Sequence, residues 1–240
     1  MFFTFLPLVV YWTTSLACWF GGADSRENAY HPNNTVTPWQ AARRVLTLHA
    51  LQVTATLPSE WGMVAYVEPF GCRWYYLLGG VLLMDTVQYF SHRLFHEVPW
   101  LYGQVHKTHH EIKAPWGFAA LYNSYPDALL VGASLHAAFF VVGGFTVEEF
   151  SYVVSAANVM TVLDHVDYFD RVSWFGKPRH HRIHHEVNSH TNFQQPFFTF
   201  WDRWLGTQHV RLPHPNPPVA TTSGKNSANA FGKNIHGVCK

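Results

Sequence analysis

The chain has 240 residues, of which 13% are charged and 17% aromatic, and its formal net charge is +1 with His counted neutral. That length suits one domain better than two, and the charge leaves no basic footprint for nucleic acid. Charged residues at about half the soluble norm of roughly 25%, beside many Trp and Tyr, fit a chain whose solvent is partly lipid.

Residues 1–20 carry no charge and are about long enough to cross a bilayer. They lack the basic opening of a signal peptide, so they read as a retained anchor. Residues 21–44 read as a polar loop with Pro32, Pro38 and the Arg43–Arg44 pair. A second apolar stretch, about 45–67, is interrupted by Pro58 and Glu60, and a third covers 74–91. Stretches 128–145 and 147–163 form a helical hairpin turning at Gly143–Gly144. From about 164 the chain is polar, His-rich and punctuated by Pro, and after about 211 its Pro, Asn, Ser and Gly content marks a disordered tail. The expected fold is all-α, an integral membrane helical bundle of about four spans carrying a His-rich helical cap. The division is 1–44 as anchor and loop, 45–210 as the main domain and 211–240 as tail.

Basic residues give the layout a direction. Arg43, Arg44, Arg93, Lys107, Lys113, Arg171, Lys177, Arg179, Arg182 and Arg203 flank the spans on one side. The other side holds only turns near Glu68–Arg73 and Gly143–Glu149. The positive-inside rule makes the first side cytosolic, and every dense His motif falls there. The sequon Asn33-Asn34-Thr35 therefore reads as chance. Cys18, Cys72 and Cys239 are far apart and without CxxC spacing, so neither a disulfide framework nor a thiolate metal site is indicated.

The 17 His supply many potential ligand nitrogens at little cost in charge. His92 and His96 form an HxxxH, His106, His109 and His110 an HxxHH, and His181, His184 and His185 a second HxxHH. His165 stands alone between Asp164 and Val166. On a helix, positions i, i+3 and i+4 share a face, so such rings can converge on one metal or on two side by side. Adjacent rings cannot point the same way, so His109 and His110 would serve different metals or different edges of a cluster. Nine His are about twice what a mononuclear site can use, which argues for two metals. Imidazole suits iron, zinc and copper alike. Outer carboxylates that could fix the ring tautomers are, by position, Asp85, Asp164, Glu97 and Asp202. Outside the motifs, His49 and His136 read as satisfied core residues, and His31, His190, His209, His214 and His236 as solvated. His180 is ambiguous beside His181.

These motifs resemble the fatty acid hydroxylase/sterol desaturase superfamily of integral membrane proteins over roughly residues 45–208. The pattern runs Asp85, His92-Arg93, His96, His106, His109-His110, Asp164-His165 with Tyr168, His181, His184-His185, and Trp201-Asp202 with Gly206-Thr207. Stretches 118–123 and 191–202 look most like the sphingoid-base C4-hydroxylases, with sterol C4-methyl oxidases next. The chain departs from the pattern at Ser124-Tyr125-Pro126, where members commonly carry His-Pro, and at His165-Val166-Asp167-Tyr168, which lacks the usual small residue after the His. The resemblance implies a four-helix membrane region in the endoplasmic reticulum under a cytosolic cap holding two irons. It also implies O2 as oxidant and electrons from NAD(P)H through cytochrome b5 or a similar carrier.

On this basis the chain is expected to hydroxylate an unactivated C–H bond of a lipid or lipid-like substrate, with no catalytic residue beyond the metal site. The small apolar or amphipathic substrate would enter from the bilayer past aromatic walls including Trp100, Tyr102, Trp116, Phe118 and Phe197. Desaturation is the sister outcome. A membrane zinc hydrolase would need an HExxH pairing, which is missing. A non-catalytic lipid-binding relative would not need the intact set of nine His.

Overall fold

The computed structural model describes residues 2–22, 26–66, 73–142, 144–166, 178–194 and 196–209. The tail 211–240 and Cys72, Gly143, Asp167, Tyr168, Arg171, Lys177, His214, His236 and Cys239 lie outside the described residues. Among those described, every regular element is helical and there is no strand. The helices are α1 (Phe2–Gly21), α2 (Arg26–Ala29), α3 (Pro38–Tyr66), α4 (Trp74–Glu97), α5 (Pro99–Leu101), α6 (Tyr125–Val142), α7 (Val147–Asp164), α8 (Pro178–Glu186) and α9 (Phe200–Trp204).

Helix α3 starts at Pro38, six residues before the end of the loop expected over 21–44. Its entry is a capping box: Gln40 N donates to Thr37 Oγ1 (3.3 Å) and Thr37 N donates to Gln40 Oε1 (2.9 Å). Pro38, with no N–H to satisfy and φ already set, fits the first helical position. Helix α7 opens on a second capping box between Thr146 and Glu149. Glu149 is fully buried and also accepts from Arg73 N (2.8 Å) and Arg73 Nε (2.9 Å). This pins the start of α4 to the start of α7.

Helices α4 and α7 therefore begin at one end of the bundle, and α6 runs back from that end against α4, which packs on both α6 and α7. The turn from α6 to α7 needs Gly144, whose φ is +76 and whose missing Cβ leaves room for the Tyr76 hydroxyl. Gly80 lets the helices pack tightly, since an added Cβ there would stand 2.8 Å from Val153 Cγ2. Helix α1 lies along α7. Its buried stripe is Tyr11, Ser15 and Cys18, and Asn158 Nδ2 donates to the Pro7 carbonyl (2.9 Å).

Among the described residues one helix is long and apolar enough to cross a bilayer, over Thr4–Gly21 at mean hydropathy 1.2. Helices α4, α6 and α7 carry Asp85, Asp127 and Glu149, and all three carboxylates are turned inward and buried. The outward stripe of α4 is apolar instead: Trp74, Leu78, Leu82, Phe90 and Leu94 are each at least 41% exposed.

Two neighbouring glycines of α4 give a test of the packing. Gly80→Leu should cost about 1–3 kcal/mol through overpacking, whereas Gly79→Ala, with nothing within 4 Å of its added Cβ, should cost nothing. Thermal midpoints of the detergent-purified variants measure both.

Candidate metal centre

The far end of the bundle collects the C-terminal ends of α4 and α7, the start of α6, and α8. His92 and His96 lie one turn apart on the buried face of α4. His165 caps α7, where its Nδ1–H donates to the Thr161 carbonyl (2.7 Å). His181, His184 and His185 lie on α8, all buried. The middle motif is not on an α-helix, contrary to the helical geometry expected for both HxxHH motifs. Tyr102–His106 is a π-helical turn closed by Lys107 N to the Tyr102 carbonyl (2.8 Å), and His109–Glu111 is a 3-10 turn. Widening and then tightening the backbone re-aims the adjacent rings, a recurrent use of π turns at functional sites.

All nine motif imidazoles are brought together, in two groups. One holds His92, His96, His106, His110 and His184, and the other His109, His165, His181 and His185. His109 and His110 thus separate as expected. Within the groups the Nε2 atoms nearly touch. His110 Nε2 is 3.1 Å from those of His96 and His184, and His181 Nε2 is 3.1 Å from that of His165 and 3.0 Å from that of His185.

The protonation of the rings decides what these contacts mean. Five rings donate Nδ1–H to backbone carbonyls: His92 to Phe193 (2.8 Å), His109 to Tyr122 (3.2 Å), His165 to Thr161 (2.7 Å), His184 to Thr191 (2.7 Å) and His185 to Ile112 (2.9 Å). His106 Nδ1–H donates to Asp127 Oδ2 (2.8 Å). A carbonyl can only accept, so the single proton of each neutral ring sits on Nδ1 and leaves Nε2 a bare lone pair. Burial pushes the imidazolium form out of reach. It moves His106, His109 and His165 down to about 3 and holds His110, His181, His184 and His185 well below the ordinary range, with the neighbouring rings acting in the same direction on most of them. Nε2 of His92, His106 and His109 is buried with no protein partner. Converging lone pairs, buried and unsatisfied, fit a bound cation at each group.

The carboxylates differ from those expected by position. Asp127, which the motif spacing does not point to, is the one that holds a ring. It lies in the first turn of α6, behind Ser124, whose Oγ accepts from Asp127 N (3.1 Å) and donates to the Val105 carbonyl (2.5 Å). Ser124-x-x-Asp127 has the form of a helix-start motif, and that was the available signal. Asp202 touches no ring of the two groups. It accepts from Phe193 N (3.0 Å), Gln194 N (2.8 Å), Thr207 Oγ1 (2.6 Å) and His180 Nε2 (2.9 Å), and so steadies the Phe193 carbonyl that receives His92. This resolves His180 as a partner of Asp202. Asp85 accepts from Phe197 N (2.8 Å) and from the Gln194 amide, again fixing a loop and no ring. Glu97 is at the surface, bonded to Arg93 (2.7 Å), too far out to orient a buried imidazole. Asp164 is buried with Oδ1 unpartnered.

A cavity of about 450 Å3 adjoins the groups, within the usual range for a small-molecule site of roughly 300–1,000 Å3. His92, His106 and His109 form its inner wall, and Leu8, Val53, Leu129, Leu135 and Val154 are among its apolar lining. None of Trp100, Tyr102, Trp116, Phe118 and Phe197, the walls expected from sequence, lines it. Trp116 is fully buried in one core cluster, Phe197 is buried in another with Met84, Phe139 and Val153, and Trp100 is 69% exposed. The walls come from α1, α3, α4, α6 and α7 instead. His49 also lines the cavity and is not the satisfied core residue expected, because its Nε2 has no partner. His136, half-buried, donates Nδ1–H to the Gly132 carbonyl (2.7 Å). His190 is exposed, its ring 6.1 Å from that of His96.

Comparison with known proteins places this geometry in context. The chain is 35% identical to sphinganine C4-monooxygenase 1 of Arabidopsis thaliana over 133 residues, covering 53% of this chain and 51% of that protein. It is 33% identical to a very-long-chain aldehyde decarbonylase of Oryza sativa subsp. indica over 155 residues, 62% and 60% of the two chains. It is 31% identical to methylsterol monooxygenase 1 of Rattus norvegicus over 191 residues, 70% and 61% of the two. The chain thus spans about half to three fifths of the length of these relatives. No solved structure matches it. The fatty acid hydroxylase family model matches residues 77–207, a range that contains both imidazole groups, Asp127 and the Asp85 and Asp202 supports. The chain belongs to the fatty acid hydroxylase family.

Proposed function

We propose that this protein is an integral membrane di-iron oxygenase that hydroxylates an unactivated C–H bond of a lipid or lipid-like substrate. The observation that carries this reading is the convergence of nine buried imidazoles, five and four, six of them held with Nε2 bare and three of them, His92, His106 and His109, facing one apolar cavity. His92, His96, His106, His110 and His184 would hold one iron, and His109, His165, His181 and His185 the other. Five donors exceed the four of tetrahedral zinc. When bound, the irons supply the activation of O2 and the oxidation of the C–H bond.

The residues of the chain do the rest. The five carbonyls and Asp127 hold the rings in the tautomer that leaves Nε2 bare. The apolar cavity walls exclude water and set the substrate carbon beside His92, His106 and His109. Reducing equivalents from NAD(P)H would reach the centre from a cytochrome b5-type carrier at the exposed face, where Lys107, Lys113, Arg179 and Arg203 lie. Residues 45–210 would form the catalytic unit, with about four spans, a cytosolic cap and residence in the endoplasmic reticulum. The apolar outward stripe of α4 supports contact with lipid, and the basic residues at the imidazole end support a cytosolic site.

Metal analysis of the purified full chain tests this directly. About two Fe per chain are expected, with O2- and NAD(P)H-dependent hydroxylation of a C18 long-chain base once cytochrome b5 and its reductase are added, and a single Zn would overturn the reading. His109→Ala and His184→Ala should each lose turnover and at least one metal while retaining helix content by circular dichroism. Asp127→Asn should lower iron affinity about 10–100-fold, because the neutral amide holds the His106 proton less strongly.

The depressed pKa values also set a pH dependence for the metal-free protein. Between about 6.5, where the unfolded imidazoles titrate, and about 3, where buried His106, His109 and His165 do, the unfolded chain binds protons that the folded one does not. Stability is therefore complete above the upper limit and falls as pH drops through this window. The thermal midpoint of the metal-free protein should be lower at pH 5 than at pH 7.5 by at least about 5 °C.

A further inference from the structure

We propose that His49 is a substrate-positioning residue, donating Nε2–H to an oxygen acceptor, a hydroxyl or carbonyl, on an otherwise apolar substrate. The inference rests on the reading of the cavity as the substrate site. His49 lies on α3, away from the two imidazole groups in sequence, and lines the same cavity as His92, His106 and His109.

Its tautomer is fixed by what it touches. Trp12 Nε1 is 3.0 Å from His49 Nδ1. An indole N–H donates and never accepts, so His49 Nδ1 is the bare nitrogen and the ring proton sits on Nε2. This is the reverse of the six rings of the centre that donate from Nδ1. Where those present a lone pair suited to a cation, His49 presents a donor suited to an oxygen. The ring is only 4% exposed and its Nε2 has no protein partner, whereas buried donors in folded proteins are nearly always satisfied. Edge-on contacts with Tyr11 (5.1 Å between centroids) and Trp12 (6.0 Å) hold the ring in place. A donor held rigidly in a mostly apolar cavity is how such sites fix the orientation of a ligand. A substrate anchored there by its oxygen would bring one stretch of its carbon chain to the imidazole wall and keep the others away, so His49 would set which carbon is oxidised.

The test measures binding rather than turnover. The iron-loaded full chain in mixed micelles is titrated with radiolabelled 1-hexadecanol and with hexadecane, for the native protein, His49→Phe and His49→Gln. The native protein should bind the alcohol about 5–10-fold more tightly than the alkane, the value of one hydrogen bond. His49→Phe should lose that preference with alkane affinity and iron content unchanged. His49→Gln, whose amide can accept from Trp12 and still donate into the cavity, should restore it. An undiminished preference for the alcohol in His49→Phe, or no preference in the native protein, overturns the role of His49 alone. Failure of the native protein to bind either probe overturns both this role and the cavity as a lipid site.

Discussion

Each of six buried imidazoles gives its one proton to an acceptor that has none to return, and that constraint organises the imidazole end of the molecule. Five of the acceptors are backbone carbonyls, of which four belong to segments without regular α-helix: Ile112, Tyr122, Thr191 and Phe193. A loop can aim a carbonyl only if the loop itself is held. Asn34 Oδ1 therefore accepts from Lys113 N (2.7 Å) and Ala114 N (2.9 Å). Asn192, at φ 58, bonds the His180 carbonyl (3.0 Å) and His209 N (2.6 Å). Asn tolerates this left-handed conformation better than most residues, and the turn it makes sends the carbonyls on either side of it to two different rings, His184 and His92.

The same logic explains where the buried carboxylates are. Asp85 and Asp202 do not reach the imidazoles of the two groups, yet together they fix six main-chain or side-chain donors between Phe193 and Thr207. At the other end Glu149 closes a capping box and takes Arg73, and so sets the relative height of α4 and α7. That height places His92 and His96 level with His165. The 3.0–3.1 Å contacts all run through His110 or His181, whose Nδ1 atoms are buried without a partner, so the aim of those two rings rests on the rings around them and on these remote supports.

Much of this was legible in the sequence, and what was not has identifiable causes. The nine imidazoles, the two helices on either side of Gly144 and the continuous helix into His92 follow from spacing and from apolar runs, although α6 and α7 pack on α4 rather than on each other as a hairpin. Thr37-Pro38 and Gln40 announced the start of α3, although the Arg43–Arg44 pair made the segment look like loop. Asp127 was hidden because a carboxylate 21 residues from His106 has no periodic relation to the ring it serves. The π turn at Tyr102–His106 has no composition of its own, since it arises from docking between α4 and α6. The cavity walls were misjudged because aromatic residues near the motifs are plentiful, while burial in the core or exposure at the rim removes most of them from the interior. The tautomers depend on which carbonyl stands behind each ring, and only the folded chain shows that.

Helix α6 has two duties on one rigid rod. Its first turn carries Asp127, and the turns that follow carry Ala128, Leu129, Val131, Gly132 and Leu135 of the cavity wall. A guest wedged against those side chains pushes on the same lever that grips His106 through a single 2.8 Å bond. Occupancy of the greasy chamber would then be felt, through this helix, at one corner of the five-ring cluster.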